Sequence, residues 1–276
     1  MKPKTDRRVK IGIIGCGAIG SRIARSITKD FQRDCRLTGI YDIDQNKVDR
    51  LSQSLSLSEI AKRSMTELIR SCDCLVEAVT AKNTRSIIRQ ALAAKKSVLC
   101  MSVGKLLNSS DLFLLAKKNH CHLLLPSGAI AGLDAIKAAS LVGIDTISLT
   151  TRKPPVGFED NPYLKKKGID PSKIKKKTLI FEGSVAQAVK AFPRNINVAA
   201  TLTLAARASQ KILVRIIVSP EYKTNSHTVE LTGTFGRIVT QTDNLVCPDN
   251  PKTSYLAVLS GLQTLKQYCS GVFIGT

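Results

Sequence analysis

The chain has 276 residues, 43% hydrophobic and 23% charged, enough for one large or two modest domains and incompatible with wholesale disorder. Lys and Arg number 42 against 21 Asp and Glu, a net charge of +21 that raises nucleic acid or an anionic surface as a partner. No stretch approaches the roughly 18 apolar residues of a membrane span, and the basic opening MKPKTDRRVK runs into a glycine-broken segment unlike the apolar core of a secretory signal.

Residues 9–14 read as a buried strand, 21–28 as a helix opened by glycines, 37–41 as a second strand and 45–54 as a second helix. Short strands follow at 74–79, 97–101 and 122–125, separated by helices at 84–94 and 109–119. Strands apolar on all sides, alternating with helices, predict an α/β domain over residues 1–125: a Rossmann-type, doubly wound parallel sheet. The pattern changes at Pro126. A helix at 130–140 and a strand at 146–152 lead into a basic stretch, residues 152–177, that bears Pro and Gly and reads as a solvated loop. Strands at 212–218, 228–231 and 237–242, expected to be antiparallel, lie among helices at 185–191 and 198–206. This is an α+β domain over residues 126–250. Residues 251–276 hold a last helix, at 254–268, expected to pack back on the first domain.

The eight cysteines are scattered with no Cys-x-x-Cys spacing, so free thiols in a reducing cytoplasm are expected and no metal site is. The charge is also uneven. Residues 1–10 carry a net +4 and residues 152–177 a net +6, so nearly half of the excess lies in a tail and one segment. Aromatics are 4% of the chain, Trp is absent, and Phe and Tyr are not interleaved with the lysine runs. Stacking platforms are therefore missing, and no nucleic-acid partner is expected.

Gly15-Cys16-Gly17-Ala18-Ile19-Gly20 is a Gly-x-Gly-x-x-Gly turn between a predicted strand and a predicted helix. Gly15 permits the tight turn, Gly17 admits a pyrophosphate to the backbone, and Gly20 lets helix and strand pack closely. Asp42 follows 22 residues after Gly20, where an acid binds the adenosine ribose hydroxyls. A carboxylate there accepts from a 2′-hydroxyl and repels a 2′-phosphate, which favours NAD; Arg50 and the positive field leave NADP open. Glu77-Ala78-Val79-Thr80 reads either as a lining of the cofactor cleft or as a structural loop.

Three clusters in the second half carry further chemistry. Ser127 and Gly128 open a small-residue turn with Ala129, whose amides can hold an anion or the nicotinamide end of a cofactor. Asn195 and Asn197 precede Val198-Ala199-Ala200, and His227 ends an Asn-Ser-His entry into a strand. Together GCGAIG, LPSGAIAGLDA, TRKPP, FEGSVAQAVKAFPRNINVAAT, NSHTVEL and PDNPKTS resemble the L-aspartate dehydrogenase family, from residue 15 to about residue 254. The resemblance implies NAD(P)-dependent oxidation of L-aspartate to iminoaspartate, which hydrolyses to oxaloacetate and ammonia or feeds pyridine-nucleotide biosynthesis. It implies His227 as the catalytic residue, cofactor contacts from Ala129 and from Asn197 or Asn195, and a homodimer built through the second domain.

The chemistry suits a histidine. The substrate ammonium must lose a proton before hydride can leave Cα, and an imidazole titrating near pH 6.5 can accept it. His120 and His122 flank Cys121 at the start of a first-domain strand and read as structural. For the two carboxylates the sequence offers Arg152, Lys153, Arg194 and the amides near Ser127, with Arg194 preferred. Two alternatives remain. One is another two-domain dehydrogenase or reductase of a small acid; the other is a non-catalytic NAD-sensing or nucleic-acid-binding protein on the same fold.

Overall fold

Four of the five strands of the first sheet begin in apolar runs too short and too β-branched for helices. They are β1 (Val9–Ile14), β2 (Cys35–Tyr41), β3 (Cys74–Glu77) and β4 (Ser97–Cys100); β5 (Leu123–Leu124) completes the order β2-β1-β3-β4-β5. All neighbours are parallel, so each connection must cross over the sheet. The crossovers carry α1 (Ala18–Lys29), α2 (Gln45–Leu55), α3 (Met65–Ser71), α4 (Thr84–Ala93) and α5 (Ser110–Lys118). Asp44 and Ser64 cap α2 and α3 by accepting from Asn46 N and Glu67 N, each such cap being worth about 1 kcal/mol. On one face of the sheet Ile11, Ile13, Val76 and Leu99 pack with Ile23 and Ile27 of α1 and Leu51 of α2. On the other, Ile14, Leu75 and Val98 pack with Leu68, Ile88 and Leu112 of α3, α4 and α5. Each fully buried side chain of this kind contributes roughly 1.5–3 kcal/mol of transfer free energy.

This computed structural model describes residues 6–79, 83–192, 197–208, 212–248 and 250–275. The chain divides into two units, Met1–Pro126 with Gly261–Ile274, and Ser127–Ser260 with Gly275–Thr276. Leu262 and Leu265 of the last helix belong to the first unit, where they fill the core beside α1 and α2.

The second unit continues with α6 (Leu133–Ala139), β6 (Thr146–Lys153), α7 (Pro162–Lys166), β7 (Thr178–Ser184), α8 (Val185–Ala191) and α9 (Asn197–Ala206). Then come β8 (Ile212–Val218), β9 (Asn225–Gly233), β10 (Gly236–Asn244), the short pair β11 (Val246–Cys247) and β12 (Asn250–Ser254), and α10 (Tyr255–Ser270), of which the residues from Gly261 on belong to the first unit. The main sheet has the order β10-β9-β6-β8-β7. The expectation that 212–218 is purely antiparallel is corrected: β8 is antiparallel to β7 but parallel to β6. Ile147, Leu149 and Thr151 of β6 are buried, as are Val214 and Ile216 of β8 and His227, Val229 and Leu231 of β9, and the register aligns them on one face.

Two further expectations change. The helix expected from residue 130 starts at Leu133, because Gly132 sits at φ 71° as its N-cap and breaks the turn before it. The basic stretch 152–177 is not a plain loop: it contains α7 and 3-10 turns at Pro155–Phe158 and Pro171–Lys173, capped by Asn161 and Asp170. Phe158 and Leu164 are buried. Phe158, Tyr163, Phe181 and Phe192 meet edge to face at 5.4–5.9 Å, an arrangement worth about 1 kcal/mol per pair. The lysines stand outside that packed aromatic knot. No described helix is long and apolar enough to cross a membrane.

Candidate active site

The glycine turn between β1 and α1 separates into packing and opening. Gly15 lies at φ 100°, and a Cβ there would stand 2.5 Å from Ala78 O. A Cβ on Gly20 would collide with Gly15 O. Both positions are closed to any side chain. Gly17 is the N-cap of α1, and a Cβ there would meet nothing within 4 Å. The first helical bond runs from Ser21 N to Gly17 O at 2.8 Å, so the amides of Ala18, Ile19 and Gly20 have no intrahelical acceptor, and no side chain caps the helix. A cradle that Gly17 leaves open, at the positive end of a helix, fits a pyrophosphate.

Asp42 closes the same site from the end of β2. Its Oδ2 accepts from Cys16 N at 2.8 Å and its Oδ1 from Asp44 N at 3.0 Å. Each oxygen keeps lone-pair capacity for a ribose hydroxyl. Ile43, 93% exposed, stands next to it as apolar surface for a flat ring; the sequence reading passed it over because one isoleucine after a strand carries no pattern. Nearby, Cys16, Ser21, Arg25, Lys47, Arg50 and Ser54 line a cavity of about 170 Å³ between α1 and α2. Arg50 Nε donates to Asn46 O at 3.1 Å, and Lys47 pairs with Asp44 at 3.5 Å.

Glu77 is not a lining residue. It is the last residue of β3 and 0% exposed. Oε1 accepts from Val79 N at 3.2 Å and Thr84 Oγ1 at 3.3 Å; Oε2 accepts from Ser102 N at 3.1 Å and Cys100 Sγ at 3.2 Å. Burial raises its carboxyl pKa above the ordinary value, while these donors pull the other way. It ties the segment after β3 to the segment after β4, a structural role for Glu77 itself; Ala78 and Val79 lie against the Gly15 turn, and Thr80 lies outside the described residues.

In the second unit His227 is 5% exposed, and its Nδ1 lies 3.0 Å from Thr151 Oγ1, the residue facing it across the β6–β9 register. Burial first, and then the charge of Lys153, push the imidazole pKa down to about 3. Burial likewise pulls the half-buried Lys153 down to about 8. Arg152 lies on the opposite face, where Nη1 donates to Thr228 Oγ1 at 2.7 Å.

The segment carrying Ser127, Gly128 and Ala129 is fastened to the same strands. Thr242, which pairs with His227 across β9 and β10, donates from Oγ1 to Ala129 O at 2.7 Å. Asn244 Nδ2 donates to that carbonyl at 3.1 Å, Thr240 Oγ1 to Ala131 O at 3.2 Å, and Gly128 N to Ser260 Oγ at 3.0 Å. Thr240, Thr242 and Asn244 were invisible in the sequence, since each acts on a segment far away along the chain; Thr151 opens the TRKPP segment, but its bond to His227 was not legible there. Asn197 begins α9, exposed. Arg194 and Asn195 lie outside the described residues. His122 packs edge to face on Tyr268 at 5.6 Å in the first unit, which accords with a structural role. No cluster of three or more metal-ligating side chains occurs among the described residues.

A doubly wound sheet that presents uncapped amides over an open glycine, joined to a second unit with one buried imidazole, defines a two-unit pyridine-nucleotide dehydrogenase. Comparison with known proteins agrees. Residues 15–126 match the homoserine dehydrogenase NAD-binding domain, and residues 134–268 match the aspartate dehydrogenase C-terminal domain. The chain is 44% identical over 271 residues to the L-aspartate dehydrogenase of Methanosarcina mazei, covering 97% of this chain and 100% of that one. It is 38% identical over 273 residues to that of Methanococcoides burtonii, with the same coverage. The crystal structure of aspartate dehydrogenase from Thermotoga maritima superposes with a TM-score of 0.72 at 25% identity, covering 97% of this chain and 100% of that one. A homoserine dehydrogenase from Thiobacillus denitrificans shares the fold, with a TM-score of 0.63 at 11% identity over 95% of this chain and 73% of that one. The chain belongs to the L-aspartate dehydrogenase family.

Proposed function

We propose that the protein catalyses the reversible, NAD(P)-dependent oxidative deamination of L-aspartate to iminoaspartate. The imine hydrolyses to oxaloacetate and ammonia, or serves pyridine-nucleotide biosynthesis. The observation that carries this reading is His227: a buried imidazole, oriented through Nδ1 by Thr151, in a chain of this family. With Thr151 Oγ1 accepting from Nδ1–H, Nε2 keeps its lone pair for the proton of the substrate ammonium. When bound, the dinucleotide supplies the acceptor for the hydride of Cα. The same imidazolium returns a proton as water adds to the imine.

The cofactor is held, in this reading, by Gly15, Gly17, Ala18, Ile19 and Gly20 at its pyrophosphate and by Asp42 at its ribose. Ala129 and Asn197, with Asn195 second, take the nicotinamide end. NAD is preferred, because the oxygens of Asp42 are anchored by backbone amides and cannot turn away from a 2′-phosphate; Arg25, Lys47 and Arg50 beside it soften the exclusion of NADP. Ser127, Gly128 and Arg194 are proposed for the substrate. The amide of Gly128 already donates to Ser260, so the Ser127 hydroxyl and the Arg194 guanidinium are the stronger donors. The eight free thiols suit a reducing cytoplasm.

A homodimer is proposed through the outer face of the second sheet, where Leu179, Leu213, Ile217 and Val239 alternate with Ser148, Thr150 and Thr228. Leu179 and Val239 are about half exposed there, at 53% and 48%. The test of the reaction is a paired assay, aspartate oxidation and oxaloacetate amination, each with NAD and NADP. Wild type should turn over in both directions with NAD the better cofactor, and His227→Ala should lose 10²–10⁴-fold in kcat with dinucleotide binding intact. Turnover on homoserine or a cyclic imine, with none on aspartate, would refute the reading.

A further inference from the structure

Glu77 ends β3 as a fully buried carboxyl group, on a strand whose other residues are Cys, Leu and Val. Its four donors are two backbone amides, a hydroxyl and a thiol, all neutral. A carboxyl group held by neutral donors is costly to bury, and an apolar residue would simply have continued the strand. What Glu77 does there is specific. The parallel ladders run out at this point, with Ala78 N donating to Ile14 O at 2.9 Å and Met101 N to Glu77 O at 3.0 Å. The next amide along each segment, Val79 N and Ser102 N, lies beyond the strands, and the one carboxyl group accepts from both. Ser102 Oγ closes the tie by donating to Val79 O at 2.8 Å. The segment so held abuts the glycine turn: a Cβ on Gly15 would stand 2.5 Å from Ala78 O and 3.0 Å from Val79 Cγ1.

The sheet order β2-β1-β3-β4 sets these two strand ends beside the pyrophosphate cradle. Asp42 follows β2, and Gly17 follows β1. A dinucleotide with its adenosine ribose at the first and its pyrophosphate at the second runs on over the ends of β3 and β4. We propose that Glu77 is a positioning residue for the cofactor: by pinning Val79 and Ser102 together it shapes the surface under the nicotinamide half, without touching the dinucleotide itself. The adenosine half has anchors of its own between the ends of β1 and β2. Gly15 N donates to Tyr41 O at 2.8 Å and Cys16 N to Asp42 Oδ2 at 2.8 Å. Loss of Glu77 therefore loosens one half of the cofactor site and spares the other. The inference rests on the cofactor reading given above and not on the identity of the substrate.

The test uses the full chain and two ligands, NAD and ADP. ADP carries the adenosine ribose and the pyrophosphate but lacks the nicotinamide half. Calorimetry gives both dissociation constants for wild type, Glu77→Gln, Glu77→Leu and Ser102→Ala. Glu77→Gln keeps one acceptor oxygen but turns an NH2 toward the other amide, so it serves Val79 N or Ser102 N and not both. Ser102→Ala deletes only the hydroxyl bond to Val79 O, and it keeps the test open should Glu77→Leu fail to fold. ADP affinity, which should stay within about twofold of wild type, reports that the unit is intact. The ratio of the NAD to the ADP dissociation constant should rise at least about fivefold in Glu77→Gln and further in Glu77→Leu, with a smaller rise in Ser102→Ala. A smaller rise in Glu77→Gln than that, or NAD and ADP weakening in equal proportion, overturns the inference while wild-type NAD binding leaves the cofactor reading standing. A wild type that binds neither NAD nor ADP overturns both.

Discussion

Folding moves the His227 imidazole from water, where it protonates near pH 6.5, to a site where it stays neutral down to about pH 3. Between these values the unfolded chain binds a proton that the native chain refuses. Stability therefore falls as pH drops from 6.5 toward 3 and is unaffected by this group above 6.5. The span amounts to on the order of 5 kcal/mol. His227→Gln should remove most of this slope: urea midpoints at pH 7, 5.5 and 4.5 should fall less in the variant than in wild type, and parallel curves would contradict a buried neutral imidazole. Glu77 acts with the opposite sign. Its folded pKa is raised by burial, so the native chain holds a proton that the unfolded one has released. That contribution is present in full below about pH 4.5 and is lost as pH rises through the folded value. Glu77→Gln should flatten this loss, read from the same midpoints between pH 4.5 and 7. Neither environment was legible in the sequence: a glutamate just past an apolar run looks the same whether it lines a cleft or is 0% exposed.

The turn from β1 into α1 assigns different duties to glycines that look alike in GCGAIG. Gly20→Ala drives a Cβ into the carbonyl of Gly15 and should cost roughly 1–3 kcal/mol or more, as overpacking does. Gly17→Ala meets no protein atom within 4 Å, so its melting temperature should stay within a few degrees of wild type while NAD affinity falls at least tenfold. Calorimetry of both variants checks this, and tight NAD binding by Gly17→Ala would remove the pyrophosphate from that cradle. On the second unit, Asn244→Leu would leave the carbonyls of Ala129 and Asn225 each short of a donor, a loss of about 1–3 kcal/mol. Element type was legible where burial is uniform. The runs at β1, β3 and β4 and the amphipathic α2 and α4 are local signals, because every turn of sequence repeats the same instruction. The misses were of both kinds: α3 (Met65–Ser71), a short local helix, was not anticipated, and others depended on distant segments or special backbone. β7 was missed because a register shift between Leu179 and Phe181 breaks its alternation. The parallel pairing of β8 with β6 depends on two segments some sixty residues apart. The start of α6 was misplaced because Gly132 adopts φ 71°, a conformation that a run of small apolar residues does not announce.

A chain carrying +21 must manage its own repulsion when two copies meet. On the outer face of the second sheet, the seam of the proposed dimer, Arg215 pairs with Glu182 at 2.6 Å and Arg237 with Glu230 at 2.8 Å, and Arg152 shares the face with Asp243, so these arginines would bring little unbalanced charge to an interface. Nearly half of the excess lies in residues 1–10 and 152–177, and in the latter segment Lys165 and Lys173 are exposed beyond the packed Phe158–Phe192 knot. The two proposed associations, ligand binding and dimerisation, should then respond to salt in opposite directions. Screening weakens attraction of the cationic chain for an anionic dinucleotide and a dicarboxylate, and it also weakens repulsion between two cationic chains. Raising NaCl from about 0.05 to 0.5 M, where the Debye length falls from roughly 14 to 4 Å, should loosen dicarboxylate and NAD binding and tighten the proposed dimer. Sedimentation velocity across a dilution series gives the dimer dissociation constant, and calorimetry at the same salt concentrations gives the ligand constants. Leu213→Glu or Ile217→Glu, which sets a carboxylate on the outer face, should leave a monomer at every salt concentration with NAD affinity intact. A dimer that survives both substitutions would place the interface elsewhere, and one that dissociates as salt rises would show that attraction between charges holds it, against the arrangement of Arg215 and Arg237.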